Sequence, residues 1–206
     1  METIAVIDFE TTGLSPAMGD RATEVAVVIV DNGQIIDRYQ SLMNTGARIP
    51  VFIETLTGIS NAMISKAPPA AEVMNALAKF VGDIPLVAHN ASFDSKFLDA
   101  EWLRISQQRR QSFACSMLLA RRIYPAAPDH KLGTLVRYLG LPSATRHHRA
   151  LADAEMTAHL WVKIKSDIEQ RYSLSAVSHD FLCALQKTPK TQMNHYIERA
   201  KLKFGL

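Results

Sequence analysis

Two acids stand close together at the end of an apolar stretch. Asp8 and Glu10 follow the run 3–7, whose composition is typical of a strand buried on both faces. Residues two apart in a strand point to the same side, so the two carboxylates are expected to converge. Like charges at that distance repel, and a divalent cation would relieve the repulsion. The pair predicts a metal site, or, in the simpler interpretation, an acid that caps a turn.

Asp153 is the next acid in an apolar setting. It lies in a predicted helix over 148–170, beside Ala150 and Ala154 on the stripe of apolar positions. A charge that faces inward is costly unless it is compensated, and the small neighbours leave room for a ligand. The alternatives are an ion ligand and a buried aspartate that pairs with an arginine.

A histidine near this helix is a candidate general base. His148 precedes Asp153 by five residues, about 500° of helical rotation, so the two side chains would not share a helix face. His148 would reach the site from a loop or a first turn, where an imidazole can accept a proton from water. His147 competes for this role, and a solvated loop is the alternative for both.

A further acid, Asp94, lies where a short predicted strand, 86–89, gives way to a predicted helix, 92–105. Ser92 can cap that helix, which leaves Asp94 in a first turn where negative charge is favoured without any ligand. The neighbouring ring of Phe93 could stack on a base. Asp94 is therefore either a helix-start residue or a metal ligand.

The elements that must position these residues follow an α/β pattern. Strands are predicted first, with Asn32-Gly33 as a hairpin turn, and then a strand alternates with helices, which favours an α/β sandwich on a mixed sheet. Residues 171–206 are predicted to form a helical tail, with Pro189 as the break between two short helices. The other predicted segments are strands 23–31 and 34–42 and helices 70–81, 116–123 and 131–139.

Three segments together resemble the motifs of the DEDDh (DnaQ-like) 3′–5′ exonucleases, a family that includes the proofreading epsilon subunit of bacterial DNA polymerase III. The segments are Asp8-Phe9-Glu10-Thr11-Thr12-Gly13, His89-Asn90-Ala91-Ser92-Phe93-Asp94 and His148-Arg149-Ala150-Leu151-Ala152-Asp153-Ala154. The resemblance implies a ribonuclease H-like three-layer α/β sandwich on a mixed five-stranded sheet. It covers about 1–170, which predicts an exonuclease domain there and a helical C-terminal extension over 171–206.

The resemblance also implies the chemistry. The reaction would be hydrolysis of the terminal phosphodiester of DNA, releasing nucleoside 5′-monophosphates. Two divalent ions, Mg²⁺ or Mn²⁺, would be held by four carboxylates, with His148 as the general base. The bridging ligand would be Asp8, and the other three ligands would be Glu10, Asp94 and Asp153.

Substrate contacts follow from the same resemblance. Thr11, Thr12 and Gly13 would bind the terminal nucleotide through backbone groups, and Leu14 and Leu56 would wedge against its base, unless these leucines are ordinary core residues. Two further residues, Asn90 and Phe93, would line the path of the strand.

The composition narrows the class of protein. The 206 residues carry 23 Lys and Arg against 20 Asp and Glu, a mild excess that is compatible with an anionic partner. The longest aliphatic run, 25–30, is far shorter than the roughly 20 residues that span a bilayer. Only two cysteines are present, which favours a reducing, cytoplasmic setting.

Three function classes stay open at this point. The first is a DNA 3′–5′ exonuclease that acts on single-stranded or frayed 3′ ends, either free-standing or in partnership with a DNA polymerase or a sliding clamp. The second is an RNA-trimming 3′–5′ exoribonuclease of the same superfamily. The third is a non-catalytic nucleic-acid-binding or polymerase-tethering module that has kept the fold.

Overall fold

A mixed five-stranded sheet forms the centre of the molecule. The structure, a computed structural model, describes residues 2–143 and 149–204. The strands are β1 (Ile4–Thr11), β2 (Ala22–Asp31), β3 (Gln34–Leu42), β4 (Leu86–Ala88) and β5 (Phe113–Cys115). Their order across the sheet is β3-β2-β1-β4-β5. The first three strands are antiparallel neighbours, whereas β4 runs parallel to both β1 and β5.

The hairpin between β2 and β3 forms at the predicted turn. Asn32 and Gly33 both have positive φ, 48° and 79°, as a two-residue hairpin turn of this kind requires. The turn fixes the pairing of β2 with β3 next to it, where Asp31 lies opposite Gln34 and Val30 opposite Ile35. The separate pairing of β1 with β2 brings Glu10 opposite Glu24.

Helices cover both faces of the sheet. They are α1 (Val51–Thr57), α2 (Asn61–Ile64), α3 (Ala70–Val81), α4 (Ser92–Leu103), α5 (Ser116–Ile123), α6 (Leu132–Tyr138), α7 (Ala150–Tyr172), α8 (His179–Leu185) and α9 (Met193–Phe204). Even-numbered residues of β1, such as Ile4 and Val6, share a buried cluster with α7. Odd-numbered residues, such as Ile7 and Phe9, share another with α3 and α4. The predicted three-layer α/β arrangement is therefore confirmed.

The C-terminal helices join the same core as α7. Phe181, Leu185 and Ile197 lie in the buried cluster that also contains α7 residues. Pro189 stands between α8 and α9, as predicted. At the C-terminal cap of α8, the side-chain amide of Gln186 accepts a hydrogen bond from the Cys115 backbone N–H at 2.6 Å and donates one to the Phe113 carbonyl at 3.2 Å. The C-terminal tail thus covers the outer edge of β5.

The structure differs from the sequence prediction mainly in short elements. The strand predicted over 3–7 continues to Thr11, so Asp8 and Glu10 lie inside β1 rather than after it. The helices α1 and α2 and the three-residue strand β5 were not predicted from the pattern of residues. No helix within the described ranges has both the length and the hydropathy that a membrane span requires.

Candidate active site

β1 carries the first two acids of the site. Asp8 and Glu10 are half-buried and lie on the α7 side of the sheet, the side of Ile4 and Val6. The strand pairs with β2 on one side and with β4 on the other, so its backbone is held along most of its length. The convergence of Asp8 and Glu10 that strand geometry predicts is present.

Asp94 reaches the site from the turn after β4. Asn90 takes a left-handed conformation, with φ of 65°, which asparagine tolerates better than most residues. The turn leads directly into α4, whose first turn holds Asp94. The Asp94 side chain is 2% exposed, and its Oδ1 accepts a hydrogen bond from the backbone N–H of Phe9 at 3.2 Å. Asp94 is therefore tied to β1 between its two acids.

Asp153 completes the group from the first turn of α7. Its Oδ2 accepts a hydrogen bond from the backbone N–H of Arg149 at 3.2 Å. One carboxylate oxygen from each of Asp8, Glu10 and Asp153 lies within 4.8 Å of the others. These three residues and Asp94 line one cleft of about 220 Å³, together with His89, Phe93 and other neighbours.

The electrostatics of the cleft favour neutral carboxyl groups when no cation is present. Burial, followed by repulsion from Asp153 and other nearby carboxylates, raises the pKa of Glu10 to about 8. Burial also raises the pKa of Asp94 to about 8, although a backbone N–H donor opposes the shift. Burial and repulsion from Asp94 raise the pKa of Asp8 well above its usual range. A bound cation would reverse these shifts.

The donor set fits a hard divalent cation. The three converging groups offer carboxylate oxygens alone, and oxygen ligands suit Mg²⁺ or Mn²⁺ rather than zinc. Within the described ranges, no lysine or arginine forms an ion pair with Asp8, Glu10 or Asp94. The nearby charge of Arg149 lowers the pKa of Glu10 only in part, so most of the positive charge that these groups require would come from a ligand.

The sequence predicts one histidine as the general base and its neighbour as the competitor. His148 and His147 both lie outside the described residues, so their roles stay predictions from the sequence.

Sequence reasoning missed Glu24, an acid next to the cleft. Glu24 lies on β2 opposite Glu10, is 1% exposed, and contacts the guanidinium of Arg149, with Nη2 to Oε1 at 2.8 Å. The signal was a single glutamate inside the otherwise apolar strand that was predicted over 23–31. A buried acid in such a strand calls for a partner, as Asp8 and Glu10 did.

The turn that follows β1 is held by its own polar groups. The Thr11 hydroxyl donates to the Gly13 carbonyl at 2.6 Å, and the Thr12 backbone N–H donates to the Arg21 carbonyl at 2.9 Å. A Cβ on Gly13 would collide with the carboxylate of Asp20. Only glycine fits at that position without a shift of the Asp20 side chain, which accepts a hydrogen bond from the Ser15 backbone N–H at 2.9 Å.

The predicted base contacts differ in exposure. Leu14 is 82% exposed and Leu56 is 51% exposed, so neither leucine is a core residue. Asn90 is exposed, and the half-buried ring of Phe93 lies 4.9 Å from that of Phe97, measured between centroids. One turn before Leu56 on α1, Phe52 is also exposed, at 67%, and sequence reasoning did not single it out.

Comparison with known proteins places this chain in a family. A family model described as Exonuclease (RNase_T) matches residues 5–161. The PolC-type DNA polymerase III of Bacillus cereus is 39% identical over 82% of this chain, and that of Bacillus subtilis is 37% identical over 82%. This chain spans 12% of the length of each of these relatives.

Solved structures agree in fold. A structure of Exonuclease X in complex with 5′ overhanging duplex DNA is 26% identical, with a TM-score of 0.70 over 89% of this chain and 99% of that one. The nuclease domain of 3′hExo, a DEDDh family member bound to rAMP, is 22% identical, with a TM-score of 0.67 over 81% of this chain and 92% of that one.

Proposed function

Since this chain belongs to the exonuclease family, as a metal-dependent 3′–5′ exonuclease of the DnaQ-like type, we propose that it removes nucleotides from the 3′ end of DNA as nucleoside 5′-monophosphates. One observation carries the proposal: Asp8, Glu10 and Asp153 converge on one cleft with Asp94, although they come from three distant segments of the chain. Such an arrangement is costly for stability unless a cation is bound.

The four carboxylates are proposed as the ligands of two divalent ions, Mg²⁺ or Mn²⁺. When bound, the ions would supply Lewis-acid stabilisation of the charge that develops on the phosphate. The chain itself fixes where the ligands point. A backbone N–H from β1 orients Asp94, and one from the start of α7 orients Asp153. Ligands that are held before the reaction need little reorganisation during it.

His148 is proposed to accept the proton of the attacking water. An unperturbed imidazole titrates near pH 6.5, so it is largely neutral and basic at pH 7 and above. His148 directly precedes Arg149 in the sequence, and the described part of α7 begins at Ala150.

DNA is favoured over RNA as the substrate. The relatives with 37–39% identity are named DNA polymerases, and the structure with 26% identity holds DNA. The RNA-related neighbour, 3′hExo, is 22% identical and indicates the fold alone. Association with a DNA polymerase or a sliding clamp and work in the cytoplasm are parts of the same proposal.

The substrate end is proposed to meet the turn after β1 and the exposed leucines. Backbone groups of Thr11, Thr12 and Gly13 would bind the terminal nucleotide, and Leu14 and Leu56 would press against its base. Both leucines are exposed enough to do so. The residues that would line the path of the strand are Asn90 and Phe93.

Matched DNA and RNA oligonucleotides of one sequence, labelled at either end, test the proposal. We expect stepwise loss from the 3′ end of the DNA, release of 5′-monophosphates and no turnover in excess EDTA. Mismatched 3′ ends should be cut faster than paired ones, because part of the unpairing cost is already met. Faster trimming of RNA would overturn the choice of substrate, and full activity in EDTA would overturn the role of the ions.

A further inference from the structure

An ion pair between a buried glutamate and a half-buried arginine lies directly beside the proposed metal ligands. Glu24 on β2 and Arg149 at the start of α7 join the sheet to the helix that carries Asp153. We infer that Glu24 and Arg149 are positioning residues, which fix the first turn of α7 against β2 and thereby aim Asp153 at Asp8 and Glu10. The inference rests on the proposed function, because it assumes that Asp153 is an ion ligand.

The carboxylate of Glu24 is fully engaged. Its Oε1 accepts from Arg149 Nη2 at 2.8 Å and from Gln40 Nε2 at 2.8 Å. Its Oε2 accepts from Arg149 Nε at 3.2 Å and from the backbone N–H of Ala150 at 3.1 Å. The guanidinium therefore binds both oxygens in the two-pronged geometry that arginine favours with carboxylates. One side chain of the sheet thus holds both the cap residue and the first residue of α7.

Arg149 connects this anchor to Asp153. Its side chain binds Glu24, while its backbone N–H donates to Asp153 Oδ2 at 3.2 Å and its carbonyl accepts from the Asp153 N–H at 3.1 Å. A shift of Arg149 would therefore move the partner of the Asp153 carboxylate. Two successive contacts, from Glu24 to the Arg149 side chain and from the Arg149 backbone to Asp153, thus link β2 to a proposed ion ligand.

The charge of Glu24 argues against a role in stability alone. Glu24 adds to the repulsion at Asp8 and Glu10, so it makes the acidic group harder to bury. A buried ion pair stabilises a fold little, and an apolar pair of similar volume often does as well. A directional, two-pronged contact at this place is better explained by the orientation that it gives to the start of α7.

Three variants test the inference: Glu24→Gln, Arg149→Gln and Arg149→Lys. We expect Glu24→Gln and Arg149→Gln to weaken Mn²⁺ binding by roughly 10–100-fold, the usual effect of losing a group that orients a ligand. In Mg²⁺, kcat should fall while KM for a DNA oligonucleotide changes little. Arg149→Lys should keep part of the affinity for Mn²⁺, because lysine retains the positive charge but cannot contact both carboxylate oxygens as the guanidinium does.

Two control variants separate positioning from general damage. Glu101→Gln breaks another buried pair, in which Arg21 Nε and Nη2 each lie 2.8 Å from the carboxylate. It should lower stability comparably but leave Mn²⁺ affinity unchanged. Glu155→Gln removes an exposed contact between α7 and Arg38 of β3 and should leave both affinity and turnover unchanged.

Hydrogen exchange of the amides at 150–156 adds a readout that needs no metal. Faster exchange there in Glu24→Gln than in Glu155→Gln, together with the loss of Mn²⁺ affinity, is the expected result. Equal losses of Mn²⁺ affinity in Glu24→Gln and Glu101→Gln, or unchanged exchange at 150–156, would overturn the inference. A native chain that binds no Mn²⁺ would instead overturn the proposed function, and the exchange data would still decide whether Glu24 orders the helix start.

Discussion

Glu24 and Glu101 are as deeply buried as Asp94, with 1–2% of each residue exposed, yet their surroundings differ sharply. Each glutamate lies against the guanidinium of an arginine, which meets both of its oxygens. Asp94, Asp8 and Glu10 form no such ion pair with a described residue. Buried and half-buried carboxylates of the described residues thus include an arginine-paired set, Glu24 and Glu101, and a cleft set, Asp8, Glu10 and Asp94.

The difference separates architecture from chemistry. The charge of an arginine-paired carboxylate is balanced by an arginine of the same chain. Removing the carboxylate leaves that arginine without its charged partner, which lowers the stability of the fold. A carboxylate of the cleft set would instead have its charge balanced by a bound cation, so its removal should relieve the cost of burial in the metal-free protein and destroy the proposed site. In the metal-free protein, removing a charge should therefore lower the stability for the arginine-paired set and raise it for the cleft set.

The largest expected effect is that of Asp8→Asn. Turnover should fall by about 10⁴-fold, because several kcal/mol of transition-state stabilisation by the ions would be lost. In EDTA, the same variant should unfold at a higher temperature than the native chain, because asparagine avoids the cost of either burying the Asp8 charge or protonating a group whose pKa is raised only in the folded chain. Single-turnover assays and thermal melts measure the two effects. A lower melting temperature in EDTA would mean that Asp8 stabilises the fold, as the arginine-paired carboxylates do.

His148 belongs to neither set of carboxylates, because its proposed role is to accept a proton and not to bind an ion. His148→Ala should lower turnover by roughly 10²–10⁴-fold, the usual worth of a general base, and leave Mn²⁺ binding intact. It should also remove the acidic limb of the pH–rate profile. His147→Ala is the matched control and should change turnover little. If His147→Ala is the damaging variant, the third motif has been read in the wrong register.

Glu101→Gln should act in the opposite direction to Asp8→Asn on stability. We expect a loss of about 3 kcal/mol in the free energy of unfolding, because Arg21 would lose a charged partner inside the protein. Urea unfolding in EDTA measures it. A loss below 0.5 kcal/mol, the size seen for many exposed pairs, would mean that this pair does little for the architecture.

A smaller effect is expected from His89, which lines the cleft without joining either set. Its Nε2 donates to the His130 carbonyl at 2.9 Å, and its Nδ1 lies 2.9 Å from the Ser116 hydroxyl. Burial lowers the pKa of His89 to about 4. The unfolded chain therefore binds a proton at this residue below about pH 6.5, while the folded chain does not.

The stability that neutral His89 contributes is thus present above about pH 6.5 and is lost as the pH falls toward 4. The free energy of unfolding of the native chain, relative to that of His89→Gln, should drop by about 2 kcal/mol between pH 7.5 and 5. Urea unfolding at both pH values checks this. A constant difference would mean that His89 titrates normally in the folded chain.

Much of the fold could be predicted from local patterns. Strand β3 and the helices α3 and α5 begin and end where the sequence places them. The two helices have buried residues at helical spacing, and β3 begins right after the Asn32-Gly33 turn. The short elements α1, α2 and β5 were missed. Three to seven residues give too few repeats for a period to be recognised, and their position depends on tertiary contacts.

The candidate site divides in the same way. Asp8, Glu10 and Asp153 could be singled out because acids in apolar segments conflict with their local setting. Glu24 was not recognised and the role of Glu101 was not anticipated, since their arginine partners lie 125 and 80 residues away in sequence. No local pattern distinguishes a paired acid from a ligand when the partner comes from a remote segment.

The side chain of Gln186 has a consequence for solubility. β5 is the last strand of the sheet, and the Gln186 amide occupies the Cys115 N–H and Phe113 carbonyl that would otherwise face outward. Open strand edges recruit strands from other molecules, and natural proteins protect them. A chain cut at residue 170 would lose this cover and expose the apolar surface under α8. We therefore expect the tail to protect the edge of β5 from pairing with other molecules. A chain truncated at residue 170 should associate through this edge rather than stay monomeric in solution.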